Sequence, residues 1–377
     1  MSFGNFFYNK KVLVTGDTGF KGSWLCFWLK QLGAKVYGLA LQPNTIPSNF
    51  HILQLNKDIE HHTVDIRNFD LVKETVRKIK PEVVFHLAAQ ALVRLSYKLP
   101  LETLETNFLG TAYLLQSICE ADYSPKSPCS VVAITSDKCY ENRETLHAYC
   151  EKDAMGGHDI YSASKGAMEL LISSWRKSFF SPSDWLAHGV SLVSVRAGNV
   201  MGGGDWAEDR IVVDCVKFIV QNKMIEVRNP QAIRPWQHVL EPLSGYLQLA
   251  AEIGISPGKK SELVSAYNFG PDANSERTVE ELVESVIRHW GRGSRKHIKE
   301  PNAVHEATYL KLSTEKAQRI LGWHPTWDFE TSVQQTISWY KEAYACDFNS
   351  QKMRGLTKAQ LEGYTTEATK KGLRWTK

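Results

Sequence analysis

The sequence predicts an α/β protein: a Rossmann-type doubly wound parallel sheet with a smaller mixed α/β substrate-binding lobe. Three observations lead there. Short, β-branched apolar runs alternate with amphipathic stretches between Lys11 and Arg196, as parallel strands joined by right-handed crossovers do. The first run is followed at once by "GDTGFKG", with glycines at 16, 19 and 22, and then by helix-spaced apolar residues. After Arg196 the alternation loosens into "AGNVMGGGDWAEDR" and shorter elements with Pro and Trp between them.

Taken in order, "KVLVT" (Lys11 to Thr15) reads as a strand buried on both faces, and "FKGSWLCFWLKQLG" as the helix after it. The glycines between them let the chain turn sharply and let a pyrophosphate approach main-chain N–H groups at the helix N-terminus, while Gly22 allows close helix–strand packing. "KVYGLAL" (Lys35 to Leu41) is a second strand, Asn68 to Lys80 a helix, and "EVVFHLAA" (Glu82 to Ala89) a third strand. A long helix near Pro100 to Ala121 precedes the strands "SVVAITS" (Ser130 to Ser136) and "VSLVSVR" (Val190 to Arg196). These boundaries give a dinucleotide-binding domain over 1–195, a second, ligand-binding lobe over 196–346 with segments returning to the first domain, and a tail over 347–377. The tail is polar and weakly patterned, so it is expected to wrap the surface or be partly mobile.

Composition excludes several classes. With 377 residues and 43% hydrophobic content the chain can bury a large core. Its 45 basic and 41 acidic residues are interspersed, and no basic block or aromatic-interleaved basic patch suggests nucleic acid. No apolar run is long enough for a membrane span, and no His, Cys and acid spacing suggests a metal. Seven cysteines without CxxC spacing fit reduced thiols and a cytoplasmic location.

Chemistry concentrates at two places. Tyr161 and Lys165 in "YSASKGAMELL" stand one helical turn apart, so an ammonium can sit beside a phenol and favour the phenolate, a base for an alcohol. Ser136, Asp137 and Lys138 follow a strand end, where open α/β sheets bind ligands, and so share the crevice of the glycine turn.

The glycine turn, "HLAAQ" (His86 to Gln90), Asn107, Ser136, the Tyr161/Lys165 pair and "RAGNVMGGGDW" resemble the extended short-chain dehydrogenase/reductase family along nearly the whole chain. Within it, "GFKGSWL", "SDKCYEN" and "RPWQHVLEPLSGY" are similar to the sugar-nucleotide 4,6-dehydratases that take a CDP-sugar. The dTDP- and GDP-sugar dehydratases carry a glutamate where Lys138 stands, and the epimerases generally lack the acid and base pair. The resemblance implies conversion of CDP-D-glucose to CDP-4-dehydro-6-deoxy-D-glucose and water, as part of a deoxysugar pathway. Tyr161, with Ser136 and Lys165, would act at the 4-hydroxyl, Lys138 as base at C5 and Asp137 as acid at the 6-hydroxyl. A lysine base must lie well below its ordinary pKa of about 10.4, which burial and nearby positive charge would achieve, while desolvation would raise Asp137.

The same resemblance implies bound NAD, with Gly16, Thr18, Gly19, Phe20 and Gly22 at the pyrophosphate turn and Asp65 and Ile66 at the adenine edge. Leu87, Ala88, Ala89, Asn107, Tyr161 and Lys165 would complete the cofactor site, with Gln42 at the ribose position. For the substrate it implies Gln90, Arg94, Asn199, Arg210, Arg234 and His238, the two latter arginines of the lobe holding the diphosphate by their guanidinium forks. Packing is the alternative for His238, Trp206 and Trp236. A homodimer through two sheet-flanking helices is implied as well. An NAD-dependent 4-epimerase, or a dehydratase of another nucleotide sugar, stays open. Two departures stand out. The acid expected about twenty residues beyond the glycine turn is missing, and Gln42 stands there; NAD is favoured over NADP because nothing nearby would hold a 2′-phosphate. Asp17 would place negative charge beside a pyrophosphate, so its side chain is expected to turn outward.

Overall fold

The computed structural model describes residues 2–255, 261–272, 275–298 and 309–377. Seven parallel strands form the central sheet: β1 (Lys11–Thr15), β2 (Lys35–Ala40), β3 (Glu60–Thr63), β4 (Val83–His86), β5 (Cys129–Ile134), β6 (Val190–Arg196) and β7 (Ala266–Asn268). Their order is β7-β6-β5-β4-β1-β2-β3. The strand order reverses between β1 and β4, and that switch point opens a crevice at the strands' carboxyl ends.

Helices cover both faces because every central strand is apolar on both sides, β5 and β6 being buried at every residue. One face packs α2 (Phe69–Ile79), α3 (Gly110–Cys119) and α4 (Ile160–Ser178) through Val72, Val76, Leu115, Met168 and Ile172. The other packs α1 (Phe20–Gln31) and α6 (Leu240–Ile255) through Trp24, Leu25, Leu243 and Leu247. The lobe after Arg196 holds α5 (Ile211–Val220), α7 (Val279–Trp290) and short two-stranded ladders, among them Ile233–Pro235 with Glu276–Thr278. From the chain after Arg196, α6 packs behind the sheet and β7 extends it beside β6.

Two elements differ from expectation. The stretch read as one helix from Pro100 to Ala121 is Pro100–Leu104, a π-helical turn at Glu105–Leu109, and α3, the wide turn falling at Asn107. The supposed tail is a 21-residue helix, α9 (Ser350–Lys370), lying beside α8 (Phe329–Ala345). It is docked, not loose: Met353, Leu361, Tyr364 and Ala368 recur at helical spacing and are buried, and Trp375 stacks on Tyr364 and Phe3. Only a narrow stripe is apolar, which is why mean polarity conceals it. Among the described residues no helix is long and apolar enough to cross a membrane.

Candidate active site

The glycine turn forms as its residues require. Gly16 has φ +75°, and a β-carbon there would lie 2.8 Å from the Ala88 nitrogen; one at Gly22 would lie 2.1 Å from the Gly16 carbonyl. The turn therefore packs directly on Leu87 and Ala88, whose N–H groups donate to the Thr15 carbonyl and hydroxyl. No side chain caps α1 at Gly19, so its first-turn N–H groups are left for an anion, and the set fits a dinucleotide pyrophosphate. Thr18 donates to the Leu41 carbonyl at 2.9 Å and ties the turn to the end of β2.

Asp17 does not turn outward. Its carboxylate is fully buried beneath the turn, where Oδ2 accepts from His61 Nδ1 at 2.7 Å, because β2 offers it a glycine, Gly38, to lie over. Burial pushes Asp17 up while His61 pulls it down.

At the end of β5 the chain enters a short 3₁₀ turn, Asp137–Cys139, with Ser136 extended at its N-cap. Ser136 Oγ donates to Asp137 Oδ1 at 3.0 Å and accepts from the Lys138 N–H. Asp137 Oδ2 is buried without a hydrogen-bond partner and fills the space Gly198 leaves empty: a β-carbon there would stand 1.8 Å away. Burial drives Lys138 below the ordinary lysine range, with Arg234 and Arg210 adding to the effect and Asp137 opposing it. A lysine lowered by burial beside a carboxyl with one oxygen unengaged can serve as an acid and base pair on one turn.

On α4, capped by Asp159, Tyr161 and Lys165 share one buried face. Burial raises Tyr161, and nearby Ser136 and the Arg210 charge lower it. Lys165 was expected to do that lowering; its amine instead lies 3.7 Å from Met168 Sδ. Burial and the charge of Lys21 bring Lys165 down to about 8. Lys21 was not anticipated. It stands in the first turn of α1 among Arg210, Asp137 and Asp205, itself lowered to about 8, mainly by burial. Its signal was present in "GFKG", a lysine two residues after a helix-opening glycine, but a lysine there also reads as an ordinary solvated helix residue.

Beneath the turn runs a closed polar network. Glu169, one helical turn beyond Lys165, accepts from Thr135, Ser194 and twice from Arg196, and Arg196 donates to the Tyr140 hydroxyl at 2.6 Å. It ties α4, β5 and β6 to Tyr140, two residues past Lys138.

Other anticipated residues divide. Arg210 and Arg234 border the acid–base turn, as the charges felt by Lys138 require, and Arg94 faces Asp209 at 3.6 Å. Asn199, in left-handed backbone at φ 38°, lies beside Gly198, and its carbonyl accepts from the Gln237 N–H. Asp65 closes β3 but gives both carboxylate oxygens to Arg67, with Ile66 buried after it. Three of the anticipated side chains are engaged within the protein. Asn107 is fully buried and spends its amide on Gln90 and Ser164, so it pins the 88–92 loop to α4. Gln90 uses its side chain on Leu92 and Thr103, shaping that loop from within. His238 is a core residue, edge-on to Trp24 and Trp327 and with no exposed surface; burial holds it neutral, near 3. Trp206 likewise packs against Trp339 and Tyr340.

Comparison with known proteins agrees with this geometry. The family described as GDP-mannose 4,6 dehydratase matches residues 13–336. A CDP-glucose 4,6-dehydratase of Salmonella typhimurium is 48% identical over 337 residues, 89% of this chain and 92% of that protein. A dTDP-glucose 4,6-dehydratase of Haemophilus influenzae is 24% identical over 87% of this chain and 97% of its own. Among solved structures, the dTDP-glucose 4,6-dehydratase of Bacillus anthracis in complex with NAD superposes with a TM-score of 0.71 at 20% identity, covering 88% of this chain and 97% of that one. The UDP-glucose 4-epimerase of Thermotoga maritima reaches 0.74 at 19% identity over 89% and 99%. At such identities these two structures speak for the fold alone.

Proposed function

We propose that this chain, which belongs to the GDP-mannose 4,6 dehydratase family, converts CDP-D-glucose to CDP-4-dehydro-6-deoxy-D-glucose and water. The observation that carries this is the Ser136-Asp137-Lys138 turn set beside buried Tyr161: a base for an alcohol stands beside a second acid and base pair, which elimination needs and epimerisation does not. The 48% identity to the Salmonella CDP-glucose enzyme supports the nucleotide.

NAD, held at the turn formed by Gly16, Gly19 and Gly22, would supply the hydride acceptor for C4 and the donor for C6. Tyr161 takes the proton of the 4-hydroxyl, with Ser136 hydrogen-bonded at the same oxygen. The resulting ketone acidifies C5. Lys138, kept low by burial and by Arg234 and Arg210, removes the C5 proton and returns a proton to C5 when hydride reaches C6. Asp137, packed on Gly198 with Oδ2 unengaged, delivers a proton to the departing 6-hydroxyl. Arg210 and Arg234 take the substrate diphosphate. The face of α4 bearing Ala163, Ala167, Leu170 and Leu171, beside exposed Leu101 and Leu109, suits a second copy, and the homodimer is part of the proposal. Incubation with CDP-, dTDP-, UDP- and GDP-glucose, followed by mass spectrometry, tests the reading: CDP-glucose should become one water lighter. An isomer of unchanged mass, or water loss only from another nucleotide sugar, would displace it.

A further inference from the structure

Asp17 and Gln42, the two departures of the cofactor site, are the ends of one chain of hydrogen bonds. His61 Nδ1 meets Asp17 Oδ2 at 2.7 Å, His61 Nε2 meets Thr63 Oγ1 at 3.2 Å, and Gln42 Nε2 donates to Thr63 Oγ1 at 3.0 Å. The sheet builds this alignment. His61 is paired with Gly38 and Thr63 with Ala40 in the parallel β2–β3 ladder, so two residues of alternation place both side chains on the face where Asp17 lies. Gly38 is required, since a β-carbon there would stand 2.1 Å from Asp17 Oδ2. Gln42 follows two residues after β2, at the end that Thr18 ties to the glycine turn.

We propose that the Asp17–His61–Thr63–Gln42 relay fixes the orientation of the Gln42 carboxamide, so that its oxygen faces the cofactor's adenosine ribose and selects a 2′-hydroxyl. The direction of every bond follows from the first. A carboxylate only accepts, so His61 donates from Nδ1, and in that Nδ1–H tautomer Nε2 is the acceptor. Thr63 must give its single proton to His61, and its oxygen is left to accept from the Gln42 amide. Gln42 Oε1 makes no hydrogen bond to the described residues and remains an acceptor. A free 2′-hydroxyl can donate to it, while a 2′-phosphate brings only further oxygen acceptors at neutral pH. The buried acid thus replaces the missing acid at the end of β2 from a distance: it sets which end of an amide is presented, and its own charge stays away from the pyrophosphate. Asp17, His61 and Thr63 are positioning residues, and this inference rests on the NAD reading above.

Binding to the purified apo-enzyme, measured by calorimetric titration with NAD, 2′-deoxy-NAD and NADP, tests it without turnover. The wild type should prefer NAD to both analogues. Thr63→Val is nearly isosteric, lies on an exposed edge strand, and cuts the relay; it should shrink the preference over 2′-deoxy-NAD by roughly three- to tenfold, the worth of one hydrogen bond. Adding Gln42→Glu to that variant should restore the preference, because either oxygen of a carboxylate accepts and no orientation is needed. A merely structural Thr63 would not be rescued in this way. An unchanged preference in Thr63→Val, or no restoration by Gln42→Glu, would overturn the relay. A wild type that binds neither NAD nor NADP would instead remove the cofactor reading beneath it.

Discussion

Replacing Gly198 by alanine displaces Asp137, the proposed acid of the elimination step, and leaves Tyr161 and Lys165 of the oxidation step where they are. The added methyl would stand 1.8 Å from Asp137 Oδ2, so the carboxylate must retreat by roughly 1.5 Å to ordinary contact. Gly198 carries no left-handed backbone, and the group it strikes is the end of a side chain, so the fold accommodates the change by turning Asp137 away. Tyr161 and Lys165 lie on α4 and are untouched. A misplacement of about 1 Å in a reacting group costs on the order of 10²-fold in rate. Gly198→Ala should therefore lose about that factor in water elimination, with near-normal hydride removal from C4, so that bound reduced nicotinamide and a 4-keto hexose with its 6-hydroxyl accumulate. Single-turnover absorbance of the nicotinamide, alongside mass spectrometry of the quenched sugar, separates the two steps. The reasoning fails if elimination keeps its wild-type rate, or if C4 oxidation falls as steeply as elimination does.

Lys138→Ala should stall at the same 4-keto stage, with a loss of about 10² to 10⁴ in overall rate and slowed exchange of the C5 hydrogen with solvent; normal exchange would place the base elsewhere. Tyr161→Phe should abolish C4 oxidation while titrations show substrate affinity almost unchanged, since the phenol acts on a proton and adds little ground-state binding. Glu241 gives a pH-dependent stability. Burial raises its carboxyl to about 7 against the pull of the Thr326 and Trp327 N–H groups, so the folded state keeps a proton that the unfolded state releases near 4.5. The stability it contributes is complete below pH 4.5 and is lost as pH rises through about 7, on the order of 3 kcal/mol in all. Glu241→Gln lacks this loss, and its melting temperature relative to wild type should climb between pH 5 and pH 8; parallel curves would refute the assignment.

Which parts of this could be read from the chain alone follows from where side chains are buried. β1, β2, β4, β5 and β6 announce themselves because strands covered on both faces must be apolar. β3, "EHHT", lies at the sheet edge with half its surface in solvent and shows no apolar run, so the strand that carries the Asp17 relay was invisible. Tyr161, Lys165 and the 136–138 triplet were legible because their spacing carries chemistry. The internal use of the Gln90 amide was not, since an amide that pins a loop reads the same in sequence as one that meets a ligand. Lys21 was hidden for the opposite reason: only the fold brings Asp137, Asp205, Arg210 and Lys165 around it.

The measurement closest to the central claim follows a single hydrogen. CDP-glucose carrying deuterium at C4, given to the enzyme with unlabelled NAD in catalytic amount, should yield a 4-keto-6-deoxy product one water lighter with the deuterium at C6. Deuterium retained at C4 in a sugar of unchanged mass, or found in free reduced nicotinamide, would contradict it.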